Sequence, residues 1–275
     1  MEKRAPLHEK PKYTLLILLM VVLLLGAVLL SLFIGRYSIA PGNVLRILWG
    51  RVSGVPVGGK DESILMNIRM PGDMAAETLR LQDAYLQARA EEKGIVRPED
   101  IPVLRGGMSV WQGDITRLAA DAIVNAANSQ MLGCFVPMHT CIDNCIHTFA
   151  GVQLRAECDK KMRALRIRYG RDYEQPTAVP MLTEAYNLPA KKVVHIVGPI
   201  VQDALTPALE RDLADCYTNT LALCAANGLR SVAFCCISTG VFRFPKREAG
   251  EIAVRTVREV LQEDARIEKV VFCVH

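Results

Sequence analysis

The chain has 275 residues, enough for one large domain or two modest ones, with 33 Lys and Arg against 29 Asp and Glu. The excess narrows to 19 against 18 over residues 107–275, which leaves no basic stripe to neutralise a phosphate backbone and excludes nucleic acid as the partner. Nine cysteines at irregular spacing, with Cys235 and Cys236 adjacent in an apolar run, argue against a disulfide framework and for reduced thiols in a cytosolic compartment.

Leu15 to Ile34 are 20 consecutive residues without a charge. As a helix they would extend about 30 Å, the thickness of a bilayer core, so a single membrane span is expected there. Lys3, Arg4, Lys10 and Lys12 precede the run and Arg36, Arg46 and Arg51 follow it. This slight bias puts the N-terminus inside and conflicts with the reduced-thiol argument. Residues 71–92 set Leu79, Tyr85, Leu86 and Ala88 among charges, predicting an amphipathic helix that Gly94 and Pro98 end. Beyond it, strands are expected at 109–111, 122–125, 177–182, 193–197, 232–237 and 270–274, and helices at 142–165, 207–227 and 246–263. Interleaving of this kind predicts a layered α/β fold with a parallel or mixed sheet.

Three segments carry chemistry. Gly113-Asp114-Ile115-Thr116 follows a short strand and precedes Val124-Asn125-Ala126-Ala127-Asn128-Ser129. A carboxylate at a strand end can accept from an exocyclic amine, and asparagines can address ribose hydroxyls, although Gly-Asp is also a common turn. Ser238-Thr239-Gly240-Val241-Phe242 lies between a buried strand and a helix. Small residues there let backbone N–H groups approach a diphosphate, and an ordinary connecting loop is the bland alternative. Cys134, His139 and Cys141 offer two thiolates and an imidazole from one loop, which leaves a fourth tetrahedral position open on a bound zinc. A chance cluster has the same spacing. Cys145 and His147 fall on the following helix as core or supporting groups, and Cys158, Cys216, Cys224, Cys235, Cys236 and Cys273 read as packing.

Taken together, Gly-Asp-Ile-Thr at 113–116, Val-Asn-Ala-Ala-Asn-Ser at 124–129, Gly-Cys-Phe at 133–135, Pro137, His139, Cys141-Ile142-Asp143-Asn144, Ile146-His147, Ala150-Gly151 and Ser-Thr-Gly at 238–240 resemble the zinc-containing branch of the macro domain family. The resemblance covers residues 107–275 and implies a three-layer α/β/α domain with a mixed central sheet. Leu81-Gln82-Asp83-Ala84-Tyr85-Leu86 resembles that branch's helical extension, giving an extension over 72–106. It implies that Asp114, with Ile115 beside it, recognises adenine, and that Asn125 and Asn128 shape the loop at the distal ribose. The backbone of Ser238, Thr239, Gly240, Val241 and Phe242 would cradle the diphosphate, with Phe242 against the ribose. Zinc would sit on Cys134, His139 and Cys141, with Asp143 near the attacking water and Asn128 beside it as a second catalytic group.

The implied activity is zinc-dependent hydrolysis of mono-ADP-ribose from modified protein side chains. Bacterial members of the branch suggest a lipoyl-carrier protein as the modified partner. A non-catalytic ADP-ribose reader and an O-acetyl-ADP-ribose deacetylase are the rival functions, and the donor trio counts against the reader. Two departures stand out: Arg243 occupies a position where the branch has His or Gly, and the chain stops at His275, short of the family's terminal helix. The second departure implies a less stable domain.

Residues 35–45 and 61–64 resemble instead the opening of an iron-siderophore ABC permease subunit, over about the first 70 residues. A transporter of that kind needs many spans, so transport is excluded. The expected organisation is a tail and membrane helix at 1–36, a permease-like linker at 37–71, the extension, and a macro domain. The joint at Leu65–Pro71 suits both resemblances and implies a chimeric crossover. If the N-terminal run is part of the working protein, the chain is anchored through residues 15–34 with a cytoplasmic domain.

Overall fold

The computed structural model describes residues 76–136 and 139–274, together with Arg46 and Trp49. The chain divides into two compact units, 1–72 and 73–275. Of the first, only Arg46 and Trp49 are described, both helical and exposed. The expected membrane helix at 15–34, the permease-like segment at 37–71 apart from Arg46 and Trp49, Pro137 and His275 lie outside the described residues. Among the described residues, no helix is long and apolar enough to cross a membrane.

In the second unit, six strands form one sheet: β1 (Met108–Gln112), β2 (Ala122–Ala127), β3 (Met181–Glu184), β4 (Lys192–Val197), β5 (Ser231–Phe234) and β6 (Lys269–Val274). Their order is β1-β6-β5-β2-β4-β3, with β3 antiparallel to β4 and every other pair parallel. The mixed sheet expected from sequence is therefore present. Helices α1 (Ala76–Lys93), α2 (Ile142–Ala150), α3 (Val152–Tyr169), α4 (Pro207–Ala226) and α5 (Lys246–Glu263) complete the described elements apart from two short 3-10 turns.

Strand side chains alternate faces, so each strand feeds two cores. Val124, Val194, Ile196, Val232, Phe234 and Val270 pack with Leu213, Leu221, Ile252 and Val257 of α4 and α5. Ile123, Ala127, Val193, Val197, Ala233 and Val271 pack on the other face with Ile146, Leu154, Cys158 and Met162 of α2 and α3. This is the three-layer α/β/α arrangement. Strands buried on both faces read as continuous apolar runs, which is why they stand out in the sequence.

Four expected boundaries move. The helix expected at 142–165 is two helices, because Gly151 sits at φ 92° between them, and the second runs on to Tyr169. The strand expected at 177–182 begins only at Met181, after a turn in which Ala178 has φ 60°. The strand expected at 232–237 ends at Phe234, as the chain leaves the sheet for a loop with Ser238 at φ 63°.

The α1 helix is also less amphipathic than its pattern suggests. Leu86 is its only buried residue, whereas Leu81 and Tyr85 are exposed. A polar seam holds it instead. Gln82 Nε2 donates to Gln153 Oε1 at 2.8 Å, and Asp83 Oδ1 accepts from Gln153 Nε2 at 2.7 Å and from Asn187 Nδ2 at 2.8 Å.

Candidate active site

The parallel strands β1, β2, β4 and β5 all end on one edge of the sheet, where open α/β sheets place their ligands. Most candidate residues sit just past one of those ends or in the loop that follows, whereas Asn125 lies within β2 and Asp143 in the first turn of α2. Asp114 lies two residues beyond β1 and caps a 3-10 turn at Ile115–Arg117. Its Oδ1 accepts from Thr116 N at 3.0 Å and Thr116 Oγ1 at 2.6 Å, and its Oδ2 from Lys93 Nζ at 2.9 Å. Lys93 also stands 3.2 Å above the Phe149 ring. Burial would raise the Asp114 carboxyl, but the Thr116 and Lys93 hydrogen bonds outweigh it and hold the pKa below the usual 3.8. The Ile115 side chain is 2% exposed and belongs to the core, so this residue can offer a ligand only its backbone.

The 238–242 segment is a compact loop. Phe244 N donates to Ser238 O at 3.0 Å, Arg243 N to Gly240 O at 3.0 Å, and Val201 N to Phe242 O at 2.9 Å. Gly240 and Val241 are exposed, Thr239 and Phe242 half-buried. Among the described residues, the N–H groups of Gly240, Val241 and Phe242 take no backbone acceptor. Consecutive free N–H groups of this kind form an anion-binding concavity. Ser238 is different: it is buried, at positive φ, with a hydroxyl lacking any partner. Arg243 closes the loop at φ 60° with its side chain exposed.

The donor trio converges. The donor atoms of Cys134, His139 and Cys141 lie within 4.8 Å of one another, with Cys134 Sγ 3.4 Å from His139 Nδ1. Cys141 caps α2, its sulfur accepting from Asn144 N at 3.5 Å, and Asn144 Nδ2 ties the loop through Val136 O at 2.9 Å. Two thiols and an imidazole at this separation fit a tetrahedral zinc with one open position. Burial pushes the Cys141 thiol up to about 11, with the nearby Cys134 adding to the effect and the Asn144 N–H opposing it.

Asp143 stands in the first turn of α2, two residues past Cys141, and is buried. Its Oδ1 accepts from Asn125 Nδ2 at 2.7 Å, and Asn128 Nδ2 approaches its Oδ2 at 3.5 Å. Burial pushes this carboxyl up to about 6, against the pull of the Asn125 amide and the positive Arg155. Arg155 in turn lies 4.5 Å from the Phe135 ring centroid. Asn125 itself is 0% exposed, and its amide serves Asp143. Asn128 is half-buried and also donates to Gly133 O at 3.2 Å, which holds the start of the cysteine loop.

His147 lies 3.6 Å from Asp143 Oδ1, with neither ring nitrogen hydrogen-bonded. Gly133 runs directly over it at φ 85°, where a Cβ would come within 2.8 Å of the ring. Burial, and then the neighbouring His195 and Arg155, drive its pKa well below 6.5 and keep it neutral.

The macro domain model matches residues 124–253. A protein-ADP-ribose hydrolase of Treponema medium is 51% identical over 215 residues, covering 76% of this chain and 79% of that protein.

The chain belongs to the macro domain family.

A Staphylococcus aureus (strain MSSA476) protein-ADP-ribose hydrolase is 45% identical over 210 residues and 76% of each chain. A Trypanosoma brucei macrodomain crystallised with ADP-ribose superposes with a TM-score of 0.57 at 27% identity, over 74% of this chain and 87% of that one. In this macro domain, then, Asp114, the 238–242 loop, the donor trio and Asp143 are brought to one edge of the sheet. The sequence pattern missed Lys93, Thr183 and His195. Lys93 had a visible signal as the last basic residue of the extension helix, whereas the other two become legible only once strand register is known.

Proposed function

We propose that this macro domain is a protein-ADP-ribose hydrolase that removes mono-ADP-ribose from modified side chains with the help of zinc on Cys134, His139 and Cys141. The observation that carries the reading is the first turn of α2. Cys141, one of three converging metal donors, and Asp143, a buried carboxylate, sit two residues apart there. Relatives at 45% and 51% identity named as protein-ADP-ribose hydrolases support the reaction class.

The chain's own groups divide the work. Asp114 accepts from the adenine amine, and the N–H groups of Gly240, Val241 and Phe242 receive the diphosphate. Phe242 packs against the ribose. Asn125 holds Asp143 from below and Asn128 from the side. Asp143, its carboxyl raised by burial, orients a water and takes its proton as the water oxygen bonds to the distal ribose carbon and the bond from that carbon to the modified side chain breaks; the proton then passes to the departing side-chain atom. When bound, zinc supplies Lewis acidity to a ribose hydroxyl, the scissile group or a water. A lipoyl-carrier protein is the substrate class proposed.

The test is elemental analysis of the purified protein, together with release of ADP-ribose from a mono-ADP-ribosylated protein. About one zinc per chain and chelator-sensitive release are expected, with both lost in Cys134→Ser and release alone lost in Asp143→Asn. A folded, zinc-free protein that binds ADP-ribose and releases nothing would refute the hydrolase and leave a reader.

A further inference from the structure

The sheet face under α2 and α3 is mostly apolar, with Ser109 a lone buried hydroxyl on β1, and three polar side chains stand together on β2, β3 and β4. Asn125 on β2 and His195 on β4 are 0% exposed, and Thr183 on β3 is 2% exposed. Leaving one such group unpaired costs about 1–3 kcal/mol, so their contacts define what this part of the core is for. Asn125 and His195 are register partners across the β2/β4 pair, and Thr183 is paired with Val193 on the far side of β4. Asn125 Nδ2 lies 3.1 Å from His195 Nδ1 and 2.7 Å from Asp143 Oδ1. His195 Nε2 lies 3.0 Å from Thr183 Oγ1, which itself reaches Val193 O at 3.4 Å. Cys158 Sγ is a second neighbour of Nε2, at 3.7 Å.

The directions follow from the Asp143 end. The carboxylate can only accept, so Asn125 turns its NH₂ to it, and the same nitrogen faces His195 Nδ1, which must then be bare. The opposite flip would set the Asn125 oxygen against the carboxylate. Complete burial pushes the His195 pKa down to about 3, so the ring is neutral. The proton of a neutral ring is on Nε2, so the Thr183 hydroxyl accepts from it and gives its own hydrogen to Val193 O. The cost of the observed orientation is visible: Asn125 Oδ1 is buried without a partner.

From this polarity we infer that His195 and Thr183 are positioning residues for Asp143, acting through Asn125. The backbone carbonyl of Val193 anchors one end of the series, and a fixed N–H aimed at Asp143 Oδ1 is the other. Oδ1 is thereby occupied, and Oδ2, flanked by Asn128, is the oxygen left for the reacting water. The inference rests on the reading of Asp143 given above.

Three variants separate positioning from simple support. His195→Leu removes the acceptor for Asn125. Thr183→Val keeps shape and removes the acceptor of the Nε2 proton. His195→Asn places Oδ1 where Nδ1 was and restores the acceptor. The expected result is a fall in kcat of about 10- to 100-fold for His195→Leu, the scale of a misplaced catalytic group. A smaller fall is expected for Thr183→Val, with most activity recovered in His195→Asn. KM and the Kd for ADP-ribose stay near wild type in all three, because Asp114 and the 238–242 loop are untouched. Equal loss in His195→Asn and His195→Leu, or a Kd weakening in step with kcat, overturns the inference.

Nitrogen-15 NMR of the wild-type imidazoles, with His195 assigned through its connectivity to the β4 backbone, provides a readout that needs neither turnover nor a variant. Protonated Nε2 and bare Nδ1 are expected, and protonated Nδ1 overturns the inference whatever the kinetics. A wild-type protein with the expected tautomer but no ADP-ribose release would place the failure in the hydrolase reading, and the positioning role would fall with it.

Discussion

Gly198 follows the last residue of β4 and backs the diphosphate loop. A Cβ there would lie 2.1 Å from Ser238 Oγ and 2.7 Å from Ile237 Cγ2. Atoms in good contact sit about 3.5–4 Å apart, so Ile237 Cγ2 must retreat by about 1 Å and Ser238 Oγ by more. Ser238 could swing its hydroxyl, but Ile237 is 0% exposed and has nowhere to go. Overpacking of this kind costs about 1–3 kcal/mol. For a domain of this size that is about 2–4 °C in Tm per kcal/mol. The displaced atoms belong to the loop proposed to receive the diphosphate, so Gly198→Ala should also weaken ADP-ribose binding about tenfold or more, roughly 1.4 kcal/mol. Calorimetric titration with ADP-ribose and thermal unfolding measure the two effects. Adding Ser238→Ala removes the closest contact and should recover part of both, giving a favourable coupling term. A Gly198→Ala protein that binds ADP-ribose within twofold of wild type would refute the placement of the diphosphate in this loop.

Acid stability is the next expectation. His195, with a folded pKa of about 3 against the ordinary 6.5, takes no proton in the folded state where the unfolded chain does. Its stabilisation is complete above pH 6.5 and declines by about 1.4 kcal/mol per pH unit below that, down to about pH 3. Urea titrations between pH 7 and 4 should show one proton less uptake on unfolding for His195→Asn, and identical slopes would contradict the burial argument. For Asp114 the pKa is depressed, so its contribution to adenine binding is present above the usual 3.8 and lost only on falling through a lower value. Affinity for ADP-ribose should therefore be flat from pH 7 to 5, and Lys93→Met should weaken it and bring the acid limb upward; an unchanged limb argues against the ion pair. Gly151→Ala combines a φ of 92° with a Cβ 2.7 Å from Gln82 Nε2. Strain of this sort costs about 1–3 kcal/mol before the polar seam is disturbed, and a Tm equal to wild type would rule it out.

Much of this fold is local and was legible. The α5 helix runs from Lys246 to Glu263 as its pattern predicts, and β1, β2, β4 and β6 fall within two residues of expectation. Buried apolar runs announce such strands without reference to anything distant. The β3 strand was misplaced because Pro176, Ala178 and Pro180 form a turn that mimics the start of an apolar run. Gly151 was visible as part of a motif, yet its power to end a helix depends on a backbone angle that composition does not reveal.

The candidate site divides the same way. Asp114, Asp143, the donor trio and the 238–242 loop are contiguous stretches whose residue types carry their chemistry. Asn125 sits within such a stretch too, but strand alternation turns it inward to Asp143. Thr183 and His195 join it only through the pairing of β2, β3 and β4, a long-range fact. The expected apolar face of α1 failed for a related reason: Gln82 and Asp83 find partners about 70 to 100 residues away, and Tyr85 does not.

That seam also sets how firmly α1 is held against the rest of the domain. With Leu86 alone buried, α1 is held by exchangeable hydrogen bonds that water can replace at little cost. It therefore opens as a local unit well below the free energy of global unfolding. Each such opening would carry Lys93 away from Asp114, while Asp143, buried on α2, would keep its Asn125 contact. Amide exchange should be fast along α1 and slow along β2 and β4.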